Sequence, residues 1–493
     1  MQSSAGTRPA SSSLAGHLTT PRIVFLVVAA AAPMAAMVGT GPLMFAIGDG
    51  AATPAMFLLA GAVLLCFSAG YAAMSRHVVN AGGFYTYVGR GLGRVPAVAA
   101  ALIAVLSYNA ITIALGAGFG YFANIALQQD FAVNVPWQVC TAAGWLVVAV
   151  LGYRQVDIGA RVLAVLMLAE ISILLIFDFS VVARHAGSAF PATSLAPHTI
   201  FSGGGSFGLG LMFAFVSYIG FESAALYGEE ARDPRRSVPR ATYISVCLIT
   251  VFYGLTTWAA IGATGAGRVR EVAGKQLGNL FFALNTQYVN SFLTQIMMLL
   301  LCTSVFASWL ALHNASARYM FALGREGILP RYLGVAHGSH QSPSRSSLLQ
   351  TGVTATVIAV FAIARANPYL TVTTSMLGLG TIGIVALQAA ACFAVIGFFY
   401  HHEQRHWWRT LVAPLLGGIG LVAATVLIAA NYSALTGSTS PLINSLPWLL
   451  VLAGIAGAGY ALWLRTSRLE IYSAIAAAAP DPGDRLLEGT GRP

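Results

Sequence analysis

Apolar residues run through this chain in long unbroken blocks. There are twelve of them, near residues 22–48, 53–75, 95–127, 136–153, 158–183, 206–228, 241–264, 287–323, 348–365, 371–400, 410–431 and 444–464. Most exceed the roughly 18 residues that read as a helix crossing a bilayer, and the pattern is not the two-residue alternation of strands. The expected fold class is therefore an all-α polytopic membrane protein with twelve transmembrane helices. An even number of spans puts both termini on one side. Residues 1–21 are rich in Ser, Thr and Pro and are expected to be a disordered cytoplasmic tail. No short apolar stretch with a cleavage site follows them, so the first span is expected to act as an uncleaved anchor. The polar residues 465–493 form a second tail.

Composition sharpens this picture. Of 493 residues, 57% are hydrophobic and 9% are charged, against about 25% charged in an average soluble domain. A soluble enzyme, a disordered protein and a disulfide scaffold are excluded. The net charge of +10 is explained by topology rather than by nucleic acid. Twenty of the 26 basic residues, among them Arg76, Arg90, Arg235, Arg236, Arg240, Arg325 and Arg409, fall in the tails and in the loops on the termini side. Five fall on the other side, and Arg318 lies inside the eighth segment. Positive loops face the cytoplasm, which places both termini there, in a cytoplasmic (inner) membrane. The five cysteines each lie in an apolar run without a C-x-x-C pair, so neither a disulfide nor a metal site is implied.

Two segments carry unusual punctuation. The first contains Gly39-Thr40-Gly41-Pro42, and the sixth contains Ser217-Tyr218-Ile219-Gly220-Phe221-Glu222. Interrupted helices at matching places in two halves point to a transporter site at the membrane midplane. A kink or close packing of small residues accounts for the glycines equally simply. A break leaves carbonyls on one half-helix and N–H groups on the other, a pair suited to a zwitterion. Pro42 fits the first turn of the outer half-helix. Segments one and six each open a group of five, which suggests two inverted repeats, 22–183 and 206–400, followed by two extra helices over 410–464.

A family resemblance rests on four motifs. Gly220-Phe221-Glu222 followed by Glu229-Glu230-Ala231-Arg232-Asp233-Pro234 resembles the helix 6 signature of amino acid–polyamine–organocation transporters. Ala81-Gly82-Gly83-Phe84-Tyr85 is similar to their loop between helices 2 and 3, and Ala322-Leu323-Gly324-Arg325-Glu326-Gly327 to the segment after their helix 8. Gly39-Thr40-Gly41 resembles their helix 1 break. The resemblance implies a LeuT-type five-plus-five inverted repeat with helices 1 and 6 interrupted. It also implies transport of an amino acid or related amine by alternating access. On this resemblance Gly39, Thr40 and Gly41 would meet the substrate carboxylate. Ser217, Tyr218, Ile219 and Gly220 would meet its amine and side chain.

The chain departs from the family pattern twice. Pro42 stands where an apolar residue with an N–H is usual, and Glu170 stands where many sodium-independent relatives have a lysine. Both changes favour a cationic substrate. Glu170 lies among apolar residues. An intramembrane carboxylate is costly and usually functional, so Glu170 is the candidate proton carrier, against a structural reading as a carboxylate bonded to a neighbouring helix. Glu222, one residue beyond the break, is a candidate gate or ion-pair partner. Asp178 reads as an interface residue, and Glu229, Glu230 and Arg318 as a structural ion-pair group. Thr303 and Ser304 are a candidate sodium site, against the default of hydroxyls bonding their own helix. His313 reads as a packed or cavity-lining histidine. His401, His402 and His406, beside Trp407 and Trp408, read as a membrane-surface anchor.

Two matches mislead. Gly204-Gly205-Ser206-Phe207-Gly208 fits G-x-S-x-G without a preceding strand, and Gly378-Leu379-Gly380-Thr381-Ile382-Gly383 fits G-x-G-x-x-G without a βαβ context. An intramembrane serine enzyme using Ser206 is the remote alternative, and a transporter-derived sensor would need a soluble signalling domain. The main expectation is a proton-coupled secondary transporter of an amino acid or organic amine, with an amino acid/polyamine exchanger or a sodium-coupled symporter as alternatives. No catalytic residue, cofactor or nucleic-acid partner is implied. The partners expected are the small-molecule substrate, a proton or sodium ion, and the lipid bilayer. The oligomeric state is left open.

Overall fold

The computed structural model describes residues 18–78, 83–154, 160–202, 204–222, 224, 231–336, 342–400 and 405–476. Their principal helices are α1 (Thr20–Ala46), α2 (Gly50–Met74), α3 (Arg94–Phe131), α4 (Trp137–Arg154), α5 (Ala160–His185) and α6 (Phe207–Tyr218). They continue with α7 (Pro234–Thr264), α8 (Ser291–Arg325), α9 (Ser344–Ile363), α10 (Pro368–Tyr400), α11 (Trp407–Ala430) and α12 (Trp448–Ser467). Among the described residues, ten helices are long and apolar enough to cross a membrane. The other two are α4, whose ends carry Trp137, Gln138, Tyr153 and Arg154, and α6, which is cut short at Tyr218. No strand occurs among the described residues beyond an isolated bridge between Leu18 and Ala231.

Local chemistry sets the helix starts. Asn290 caps α8 by accepting from the Leu293 N–H at 2.8 Å, and Asn367 caps α10 by accepting from Tyr369 and Leu370. Pro54, Pro234 and Pro368 occupy first turns, where a missing N–H costs nothing. The long helix α3 runs through the middle, packed on α4, α8, α10 and α12. Gly116 lets it close on Trp309 of α8, and Gly120 lets it close on Thr141 of α4. This G-x-x-x-G pair therefore packs within the chain. Large apolar side chains such as Ile363, Leu452 and Ile455 stand exposed on α9 and α12, as a lipid-facing surface requires.

Helix α1 is interrupted, and the interruption begins earlier than the glycines predict. Regular α-helix ends at Ala31. Ala32 turns left-handed (φ 46°), a widened π-helical coil runs over Ala35–Thr40, and α-helix resumes at Gly41. The cause is Pro33, which has no N–H to donate and disfavours helical geometry in the residue before it. Gly39, Thr40 and Gly41 close the interrupted segment instead of opening it. Pro42 sits in the first turn of the resumed helix. Helix α6 breaks at the predicted place: Ile219 is extended (ψ 129°) and Gly220 takes φ 112°.

The molecule has two polar faces. On one, Leu18 lies beside Ala231, and the Arg94 guanidinium donates to the Ser473 carbonyl and lies over the Tyr472 ring. The Tyr85 hydroxyl donates to Glu326 on the same face. On the other, the short helix Val269–Gln276 covers the end of α1, and the short helix Leu280–Tyr288 packs against α5, α7 and α8.

Candidate functional site

The two breaks touch. A methyl group on Gly220 would lie 3.1 Å from the Ala30 carbonyl carbon, so the α6 break presses directly on the last turn of the first half of α1. Only glycine combines that approach with φ 112° at low cost. The Ala31 carbonyl, left over at the end of the first half-helix, accepts from the Tyr253 hydroxyl of α7 at 3.3 Å.

Each break is capped by a buried carboxylate. Glu170 of α5 is 5% exposed. Its Oε2 accepts from the Met34 N–H, inside the α1 interruption, at 3.3 Å and from the Ser304 hydroxyl of α8 at 2.9 Å. One carboxylate thus joins three helices at the point where α1 changes direction. Glu222 Oε2 accepts from the Gly220 N–H at 3.0 Å, closing the α6 break on itself, and its backbone carbonyl accepts from the Tyr71 hydroxyl at 3.4 Å. The Tyr108 hydroxyl of α3 faces the same carboxylate. Tyr71 packs against Phe67, Phe84 and Tyr87, and Phe67 meets Phe221 edge-on, so Glu222 borders an aromatic cluster.

The remaining predicted site residues divide. The Gly39 carbonyl accepts from the Tyr369 hydroxyl of α10 at 2.8 Å. Thr40 donates to the Ala36 carbonyl one turn back. Gly41 backs onto the Phe281 ring. The Ser217 hydroxyl donates to the Phe213 carbonyl within α6. Ile219 and Gly220 form the break itself. Tyr218 points elsewhere: its hydroxyl donates to the Phe57 carbonyl at 2.9 Å and meets Thr250 at 2.8 Å, between α2 and α7. Its large ring prefers that packed slot, with Phe57 6.2 Å away.

The candidate sodium pair is not assembled. Thr303 is exposed and donates to the Leu300 carbonyl of its own helix, while Ser304 is committed to Glu170. They sit one residue apart, about 100° around the helix, so they face different ways. Asp178 accepts from Thr256 of α7 at 2.8 Å, which ties α5 to α7. His313 is buried against Ser347 at 2.9 Å. Ser206 caps α6 by accepting from the Leu209 N–H and donates to Asn431. Glu229, Glu230, His401 and His402 lie outside the described residues.

Sequence reading missed Tyr71, Tyr108, Tyr253 and Tyr369, each of which brings a hydroxyl to a break or to Glu222. A tyrosine mid-span is itself the signal, because its hydroxyl needs a partner inside the protein. It also missed a polar knot at the far end of α1. The Gly48 carbonyl accepts from the Ser206 N–H and the Arg270 guanidinium, both at 3.1 Å. Asp49 beside it is 4% exposed, and its Oδ1 and Arg270 Nη2 converge next to Gly205. Burial raises the Asp49 carboxyl to about 7, with Arg270 pulling the other way. A carboxyl raised above its unfolded value stabilises the fold in its protonated form, so this contribution is lost as pH rises through about 7. Purified protein should therefore lose thermal stability between pH 5 and pH 8, and Asp49→Asn should flatten that decline. Parallel melting curves for the two proteins would contradict this role.

The sequence profile of the amino acid permease family matches residues 18–457. The chain is 26% identical over 306 residues to the branched-chain amino acid permease BcaP of Lactococcus lactis, covering 56% of this chain and 62% of that protein. It is 26% identical to the methylthioribose transporter of Bacillus subtilis, covering 80% and 85%. It is 25% identical to the vacuolar cationic amino acid transporter 4 of Arabidopsis thaliana, covering 63% and 53%. The match to the Lactococcus protein thus spans about six-tenths of that relative's length. With a family match over nearly the whole chain, the chain belongs to the amino acid permease family of the amino acid–polyamine–organocation superfamily.

Proposed function

We propose that this permease is a proton-coupled secondary transporter that takes up an amino acid or related organic amine by alternating access, with the touching breaks of α1 and α6 as its substrate site. The reading includes a LeuT-type arrangement of twelve spans, with repeats over 22–183 and 206–400 and two extra helices over 410–464. The observation that carries it is Glu170, a buried carboxylate holding the Met34 N–H at the α1 break and Ser304 of α8 together. A proton arriving there changes what holds the break, which couples protonation to helix movement. The substrate-contacting backbone is assigned to Gly39, Thr40, Gly41, Ser217, Ile219 and Gly220, with Glu222 as a gating group. Relatives named for branched-chain amino acids, cationic amino acids and methylthioribose support a small polar organic substrate. The acidic side chain of Glu170 beside the α1 break favours an amine or basic amino acid.

Proteoliposomes with an imposed pH gradient test this directly. Radiolabelled arginine, putrescine and leucine should separate, with a cationic solute accumulated and the accumulation abolished by a protonophore. Accumulation that ignores the protonophore and needs sodium would overturn proton coupling. Orientation is tested separately in a background lacking native cysteines. The exposed Gly267→Cys should react with an impermeant thiol reagent added to intact cells, and the exposed Ser467→Cys should not. The reverse pattern would place the termini outside.

A further inference from the structure

The Arg-rich face carries a cavity that the transport site does not use. A pocket of about 220 Å³ opens between the ends of α2, α7, α10 and α11. Its floor is apolar, with Ala69, Ala72 and Phe399, and its rim carries Arg76, His406 and Arg409. A second hollow of about 390 Å³ shares Arg76 and adds Arg235, Arg236 and Arg240 from the first turns of α7. Five guanidiniums therefore line two hollows that share Arg76. Among the described residues no acidic side chain lines either hollow. The nearest neutralising contact is Asp233, which holds only Arg236, at 3.8 Å and in the open. Arg76, Arg235, Arg240 and Arg409 form no ion pair among the described residues. The five side chains are exposed, and their summed field attracts anions.

What lies below the recess identifies the anion. Along α7, Arg236 and Arg240 head a stripe of exposed apolar residues at helical spacing: Ile244, Leu248, Val251 and Leu255. Along α11, Arg409 is followed at helical spacing by Val412, Leu416 and Ile419, of which Leu416 and Ile419 stand exposed. Trp407 and Trp408, 70% and 42% exposed, flank it, and indoles favour a membrane interface. A basic recess above two lipid-facing apolar stripes matches a phosphate headgroup above its acyl chains. Basic pockets between membrane helices are a recurrent setting for anionic lipids. We propose that this recess is a binding site for an anionic phospholipid, with Arg76 and Arg409 on the phosphate and Arg235 and Arg240 around the headgroup. A lipid there would tie the ends of α2, α7 and α11 together.

The test uses the purified full chain in a neutral detergent. Native mass spectrometry should show retention of phosphatidylglycerol well above phosphatidylcholine of the same acyl chains, and the anionic lipid alone should raise the melting temperature. Each arginine beside an anionic headgroup is worth about fivefold in retention, so Arg76→Gln with Arg409→Gln should lose about twenty-five-fold. Arg331→Gln with Arg345→Gln, exposed elsewhere on the same face, should retain the lipid as the wild type does. Equal retention of the two lipids by wild-type protein would overturn the site without recourse to any variant. So would an equal loss in the control variant. Stabilisation by inorganic phosphate alone, as large as by phosphatidylglycerol, would replace the lipid with a soluble phosphate ligand.

Discussion

Glu170→Gln is expected to abolish proton-driven accumulation, by at least about tenfold, while leaving downhill exchange of substrate near normal. Glutamine keeps the shape of the side chain. Its carbonyl oxygen, set where Glu170 Oε2 lies, can still accept from both the Met34 N–H and the Ser304 hydroxyl. The α1 interruption therefore remains held, and the protein should fold and bind. What is lost is the ability to gain and release a proton. Exchange returns a loaded carrier in both directions and does not need that cycle. Glu170→Ala provides the contrast. It leaves the Met34 N–H and the Ser304 hydroxyl without their partner inside the protein, a cost of about 1–3 kcal/mol per group. Its melting temperature should fall where that of Glu170→Gln does not. Undiminished accumulation by Glu170→Gln, with an unchanged pH profile, would show that Glu170 only holds the helices together.

Gly41→Leu is expected to eliminate binding and transport and to destabilise the fold by about 1–3 kcal/mol. The first added carbon already lies 2.8 Å from Phe281 Cε2. That ring has no room to withdraw. It is fully buried, stacked on Phe45 at 6.3 Å and set against the edge of Phe177 at 6.0 Å. The added bulk must instead displace the resumed half of α1 relative to the short helix Leu280–Tyr288. The displacement acts where the π-helical coil ends, so the backbone of Gly39 and Thr40 moves with it. Gly41→Ala adds only the first carbon and should lose substrate affinity with a smaller change in stability. Ligand-induced thermal shift and uptake, measured on the same preparations, separate the two effects. A well-folded Gly41→Leu protein with normal affinity would remove this part of α1 from the site.

The helical membrane-spanning class, the approximate bounds of the helices and the place of the α6 break were legible in the sequence. Each is a local property. Apolar run length marks a helix that must satisfy its own backbone in lipid, and Ile219-Gly220 marks where that fails. The start of the α1 interruption was legible too, at Ala32-Pro33, although the glycines beyond drew attention away from it. A proline acts on its own turn and on the residue before it, whereas Gly39 and Gly41 permit a close approach without dictating where the helix opens. Glu170 stood out because a carboxylate among apolar neighbours has no local partner. Its partners, Met34 and Ser304, lie 136 and 134 residues away in the chain. Only tertiary packing could name them, and only packing could turn Tyr218 toward Phe57, separate Thr303 from Ser304, and bring Tyr71 and Tyr108 to Glu222. The basic recess shows the same division. The count of arginines on one side follows from composition and alternation of spans. Their convergence at Arg76, Arg240 and Arg409 depends on three helix ends meeting, because the spacing of side chains along one helix says nothing about which other helix lies beside it.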